Sequence, residues 1–120
     1  RITLFNEIKF EQLTRDIEVI DEMEKDHLRH NRISPAAYLG SIEAIENLRN
    51  TIESVKVPTF VQISDEDPIV DTQAVIGFFK KIQAESASLK IYEGRKHEIF
   101  NDINRKEVFE DLLQFMKNLK

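Results

Sequence analysis

The sequence predicts an α/β fold, in which a helical, acidic first half gives way to a parallel strand–helix–strand–helix unit. Three observations carry this. Apolar residues recur at spacings of three and four as far as Val55, and then give way to short runs of β-formers around Phe60 to Ile63 and Leu89 to Ile91. A helical pattern separates the two runs. Pro58 and Gly94 punctuate the change and the end of the second run.

Taken in order, Phe10 to Lys25 reads as one amphipathic helix, with Leu13, Ile17, Ile20 and Met23 on one side and Glu or Asp filling half of the other places. Ser34 followed by Pro35 is a helix start, because the hydroxyl caps the first turn and the N–H that proline lacks is not needed there. The helix it opens carries Leu39, Ile42, Ile45, Leu48, Ile52 and Val55 on one face, and Pro58 forbids its continuation. Phe60, Val61 and Ile63 then make a short apolar run suited to a buried strand, ending in Ser64-Asp65-Glu66-Asp67-Pro68. Asp71 or Thr72 caps the next helix, with Val75, Ile76, Phe79 and Ile82 inward. Ser88 to Glu93 alternates Leu89 and Ile91 against Lys90 and Tyr92 as a second strand. The last helix starts at Asn104 with Glu107 as a capping-box partner, and its buried stripe is Val108, Leu112, Phe115, Met116 and Leu119.

Composition narrows the function classes. The 120 residues are 41% apolar and 32% charged with three Gly and three Pro, which excludes disordered and collagen-like chains. No apolar run approaches the roughly 18 residues of a membrane span. A net charge of -5 without a basic stripe speaks against a nucleic-acid partner. There is no Cys, hence neither a disulfide framework nor a thiolate zinc site, and a reducing, cytoplasmic setting is the expectation. The chain starts at Arg1, and the expectation is that it is a piece of a longer protein.

Chemistry is expected where the strands end. In a right-handed parallel β–α–β unit both strands exit at the same edge, which is where open α/β sheets bind ligands. The first exit offers Asp65, Glu66, Asp67 and Asp71, and the second offers Arg95, Lys96, His97 and Glu98. Neighbouring strands lie roughly 4.8 Å apart, so an acid from one loop and the imidazole from the other can meet as an orienting carboxylate and a general base. The alternative at this level is that the acids end a strand and cap a helix while His97 is solvated.

The stretch Val57-Pro58-Thr59-Phe60-Val61-Gln62-Ile63-Ser64-Asp65-Glu66-Asp67-Pro68-Ile69-Val70-Asp71, with Leu89-Lys90-Ile91-Tyr92-Glu93-Gly94-Arg95-Lys96-His97-Glu98, resembles the end of an α/β-hydrolase of the monoacylglycerol lipase or lysophospholipase group. There a Val-Pro strand runs into a Gly-x-x-Asp-x-x-Val-Asp loop, and Tyr-Glu-Gly-x-x-His follows one helix and one strand later. Leu13-Thr14-Arg15-Asp16 with Glu18-Val19, then Asp26-His27-Leu28, resembles the segment after that group's lid. The resemblance implies that Asp67 is the acid and His97 the base of a catalytic triad. It also implies that residues 1–54 are a helical lid or cap remainder and residues 55–120 the C-terminal part of the hydrolase core. Ser64 stands where the group usually has Gly. No Gly-x-Ser-x-Gly elbow occurs, and because the chain order in this fold is Ser, acid, His, the nucleophile is implied to lie upstream of Arg1. Ser34, Ser41, Ser54, Ser64, Ser86 and Ser88 lack the elbow context and read as cap, turn or surface residues.

The implied function is ester hydrolysis on monoacylglycerols, lysophospholipids or similar carboxylic esters, with no cofactor and no metal. The implied partners are an ester or lipid substrate, the upstream half of the same protein or a second copy, and transient contact with a membrane surface. Two other readings stand beside it. One is a non-catalytic α/β interaction module without the elbow. The other is a Mg²⁺-dependent phosphoryl-transfer site on Asp65, Glu66, Asp67 and Asp71, which supply the oxygen donors hard cations require but leave His97 unused. His27 and His30 lack a metal-binding frame and read as a solvated helix end. Phe78 and Phe79 read as core, and the acidic face from Glu11 to Asp26 as solvated.

Overall fold

The computed structural model describes residues 3–119, so the start at Arg1 and the end of the expected core unit at Lys120 lie outside the described residues. The elements, in chain order, are strand β1 (Leu4–Phe5), helices α1 (Phe10–Leu13) and α2 (Ile17–Lys25), strand β2 (Arg32–Ile33), helix α3 (Pro35–Thr51), a short 3₁₀ turn (Ile52–Ser54), strand β3 (Thr59–Ser64), helix α4 (Thr72–Phe79), strand β4 (Ala87–Tyr92) and helix α5 (Arg105–Asn118). β3 and β4 pair in parallel across the α4 crossover, in a register running from Thr59↔Ala87 to Ser64↔Tyr92. The short β1–β2 ladder is antiparallel and was not signalled by any period-2 run. No helix among the described residues is long and apolar enough to cross a membrane.

Four expectations change. The single helix from Phe10 to Lys25 is two, because Thr14 takes extended backbone and Asp16 starts a new helix by accepting the Glu18 N–H. Thr14 is fully buried, and its hydroxyl donates to the Asn101 carbonyl at 2.8 Å, so tertiary bonds outweigh the helical periodicity there. The capping box at α5 does not form. Asn104 sits in the left-handed region at φ 62°, outside the extended geometry a cap needs, and Glu107 pairs with Arg95 instead. Met116 and Leu119 are exposed, the first because it lies beside the stripe and the second because it follows the helix end. Ile82 falls beyond the end of α4.

Strand alternation also resolves differently from its apolar pattern. Tyr92 is only 2% exposed whereas Ile91 is 38% exposed. The cause is α5, which covers the sheet face carrying Phe60, Gln62 and Tyr92: the Phe60 and Phe115 rings lie 5.1 Å apart, and Gln62 donates to the Val108 carbonyl and to the Tyr92 hydroxyl. Tyr92 in turn donates to Asp111 at 2.8 Å. Tyr92, Ile99 and Val108 form the core cluster here, with Phe100 against it. Ser34 does cap α3, accepting the Ala37 N–H, but Leu39, Ile42, Ile45 and Leu48 are exposed and only Ile52 is buried at that end.

Since Val108 is fully buried beneath Tyr92 and Ile99, Val108→Ala in the intact protein is expected to cost about 2 kcal/mol of unfolding free energy, read from denaturant midpoints. An unchanged midpoint would show that this cluster does not hold α5 to the sheet.

Candidate active site

Ser64 ends β3 with its side chain buried, and its hydroxyl donates to the carbonyl of Arg95 while accepting the Glu66 N–H at 3.1 Å. The turn is made without Gly and without left-handed backbone: among the described residues positive φ occurs only at Glu7, Gly94 and Asn104. One residue on, the Asp65 carboxylate accepts the Gly94 N–H at 2.7 Å. These two bonds tie the first loop to the second. Within the first loop, Asp67 Oδ1 accepts the N–H groups of Ile69 and Val70 at 2.8 and 3.0 Å, an Asx turn that fixes the carboxylate and leaves Oδ2 outward. Oδ2 lies 2.8 Å from Nδ1 of His97.

The second loop reverses at Gly94, whose φ of 61° suits a residue without Cβ. After it, successive main-chain donors are bound in turn. The Lys96 N–H donates to Asp102 Oδ2 at 3.2 Å, the His97 N–H to the Gln12 carbonyl at 3.4 Å, and the Glu98 N–H to the Leu13 carbonyl at 2.8 Å. Arg95 is buried over the Tyr92 ring, its guanidinium donating to the Asn104 carbonyl and pairing with Glu107. Asp102 is wholly buried and also accepts from the Arg15 N–H, the Arg15 guanidinium and the Ile103 N–H. The turn between α1 and α2 is thereby bonded to the loop that bears His97.

Burial alone pushes the Asp67 carboxyl up, but the His97 hydrogen bond and the N–H groups of Val70 and Ile69 outweigh it and hold the group below the ordinary carboxylate value. The same balance operates at Asp102, where desolvation is outweighed by the N–H groups of Arg15, Lys96 and Ile103 and by the Arg15 side chain. Burial and the Asp111 carboxylate push the Tyr92 hydroxyl up to about 12, so it serves as a donor throughout the neutral range. An ionised carboxylate can only accept, so neutral His97 carries its proton on Nδ1 and presents the Nε2 lone pair. No described residue bonds Nε2, and the imidazole side chain is 35% exposed. The arrangement is an oriented base with an open nitrogen.

The other carboxylates of the first loop do not converge with Asp67. Asp71 caps α4 through the N–H groups of Gln73 and Ala74, Asp65 is held by Gly94, and Glu66 is exposed. Among the described residues no three metal-ligating side chains stand together, which corrects the Mg²⁺ reading of Asp65, Glu66, Asp67 and Asp71. His30 Nδ1 accepts the Arg32 N–H. Ser34 caps α3, Ser41 and Ser54 bond carbonyls one turn back, and Ser86 and Ser88 are exposed. Sequence reasoning missed the roles of Asp102, Thr14 and Arg15. Their bonds join positions 87 residues apart, for which no periodicity exists, although Thr14 and Arg15 fall within a stretch that carried the resemblance.

Comparison with known proteins agrees with this architecture. The family model described as serine aminopeptidase, S33, matches residues 1–104. Phospholipase YtpA of Bacillus subtilis is 30% identical over 103 residues, 85% of this chain and 40% of that protein. A monoacylglycerol lipase of Mycolicibacterium smegmatis is 23% identical over 105 residues, 87% of this chain and 38% of that one. The crystal structure of Paleococcus ferrophilus monoacylglycerol lipase superposes with a TM-score of 0.85 at 22% identity, covering 93% of this chain and 44% of its own, and so shares the fold. The chain thus spans less than half the length of these three relatives.

A carboxyl depressed by folding stabilises the folded state fully above its unfolded value, about 3.9, and that contribution is lost as pH falls through the folded value. Both Asp67 and Asp102 have this sign. Thermal melts of the intact protein are therefore expected to fall as pH drops below about 4, with a shallower acid limb in Asp67→Asn than in wild type. Parallel acid limbs in the two proteins would contradict the Asp67 assignment.

Proposed function

The chain belongs to the serine aminopeptidase S33 family of α/β-hydrolases, and from that premise we propose that it supplies the acid and base of a serine ester hydrolase, with the nucleophilic Ser in a part of the protein preceding Arg1. The observation that carries the proposal is the 2.8 Å bond between Asp67 Oδ2 and His97 Nδ1 at the carboxyl edge of two parallel strands. In the proposed reaction the Ser hydroxyl attacks the ester carbonyl while His97 Nε2 takes its proton. Asp67 stabilises the imidazolium, and His97 then protonates the departing alcohol as the acyl–oxygen bond breaks. Water, deprotonated by the same Nε2, releases the acid and restores the Ser. The substrates proposed are monoacylglycerols, lysophospholipids or similar carboxylic esters, supported by the names of the phospholipase and lipase relatives. Residues 1–54 are proposed as the lid or cap remainder and 55–120 as core.

With the intact protein assayed on a monoacylglycerol, a lysophospholipid and an aminoacyl amide, Asp67→Asn is expected to keep the fold and lower kcat by about 10⁴. His97→Ala should do at least as much. Ester turnover near the wild-type rate in His97→Ala would sink the triad, and preference for the amide would move the substrate class.

The pairing proposed for the rest of the protein rests on β3. Its only ladder partner among the described residues is β4, so its other edge presents unpaired N–H and C=O groups, and two strands alone make a marginal sheet. Residues 1–120 by themselves are expected not to persist as a free monomer but to pair along β3 with the upstream segment or a second copy. A monodisperse, cooperatively melting monomer in sedimentation and thermal scans would instead favour the interaction-module reading.

A further inference from the structure

We propose that Asp102 is a positioning residue for His97, fixing the main chain on which the imidazole is mounted. The inference rests on the reading of His97 as the general base and extends it to a group that touches neither substrate nor imidazole.

The carboxylate is fully buried and both its oxygens are engaged. Oδ1 accepts the Arg15 and Ile103 N–H groups, each at 2.9 Å, and Oδ2 accepts the Lys96 N–H at 3.2 Å and the Arg15 Nε–H at 3.0 Å. Lys96 is the residue before His97. Arg15 follows the short helix whose Gln12 and Leu13 carbonyls receive the His97 and Glu98 N–H groups. One anion therefore binds both sides of the contact that holds His97: the peptide leading into it and the turn leading out of the helix that caps it. Thr14 adds to the same joint through its bond to the Asn101 carbonyl. Apolar packing cannot substitute, because the groups being held are main-chain N–H donors whose direction matters. Since a displacement of about 1 Å in a catalytic group can cost on the order of 100-fold in rate, a bond that sets the main chain at Lys96 acts on turnover through Nδ1 and Nε2 of His97.

The test is Asp102→Asn in the intact protein, which keeps side-chain volume but turns one acceptor into an amide donor facing Lys96 or Arg15. Three readings are taken: kcat and KM on the best ester substrate, the low-field proton resonance of His97 Nδ1–H, and the thermal melt. The expected result is a kcat lowered about 100-fold, a KM within about twofold of wild type, and a shifted or broadened Nδ1–H resonance in a protein that still melts cooperatively. Arg15→Gln, which leaves the carboxylate and the Lys96 bond in place, should shift kcat and the resonance in the same direction by less. If Asp102→Asn does not fold, Arg15→Gln decides by the same readings. Wild-type kcat per folded molecule with an unmoved Nδ1–H resonance, whatever the melting temperature, overturns the proposal and leaves Asp102 a residue of the fold alone. His97→Ala in the same assay keeps the two claims apart. Turnover surviving in His97→Ala overturns the general-base reading, and the position of the Nδ1–H resonance in Asp102→Asn then decides the positioning claim alone.

Discussion

Ser64 and Tyr92 are register partners at the ends of two parallel strands, so the chain leaves the sheet twice within a single strand spacing. The two exits must then be made compatible at close range, and polar side chains do this. The Ser64 hydroxyl reaches the Arg95 carbonyl, and Asp65 reaches the Gly94 N–H. Once those bonds are made, Asp67 and His97 face each other without either loop having to be long or heavily packed.

Burial in this part of the chain has an unusual balance. Thr14, Ser64, Arg95 and Asp102 are as deeply buried as Met23, Ile52, Tyr92, Ile99 and Val108. Apolar burial is non-directional and holds elements together without setting the orientation of a peptide. Hydrogen bonds to buried anions and hydroxyls do set it, and breaking one strands a desolvated group. The Arg15–Asp102 pair is therefore better understood as fixing geometry than as adding stability, because burying the Asp102 carboxylate costs desolvation while the partly exposed Arg15 attracts it through solvent-screened charge.

Much of this was legible from residue order. Both parallel strands, the crossover helix, the Ser34 cap and the meeting of the acidic loop with the histidine loop follow from short apolar runs, turn residues and the rule that parallel strands exit on one side, whereas the choice of Asp67 among those acids came from the resemblance. What was not legible depended on partners distant in sequence. The break at Thr14 interrupts a good helical period because the Asn101 carbonyl accepts the Thr14 hydroxyl and the Asp102 carboxylate accepts the Arg15 N–H. Tyr92 is buried and Ile91 exposed because α5 offers Asp111 and the Val108 carbonyl to one face of the sheet. Asn104 and Glu107 match a capping signature, yet Arg95 claims the glutamate. In each case a local rule lost to a contact that the local sequence does not encode.

The span between Thr14 and Asn101 has a consequence for how the protein matures. Closing a loop of that length carries an entropic cost that must be met before its bonds reward it. The β3–β4 pairing and the Asp67 Asx turn are nearer in sequence. During biosynthesis, residues 12–15 emerge from the ribosome long before the loop that receives them. The helix α1 must therefore remain undocked until that loop has been made. The β3–β4 pairing can form while the histidine loop still lacks its bonds to α1, so the loop that carries His97 gains its seat on α1 separately from the sheet.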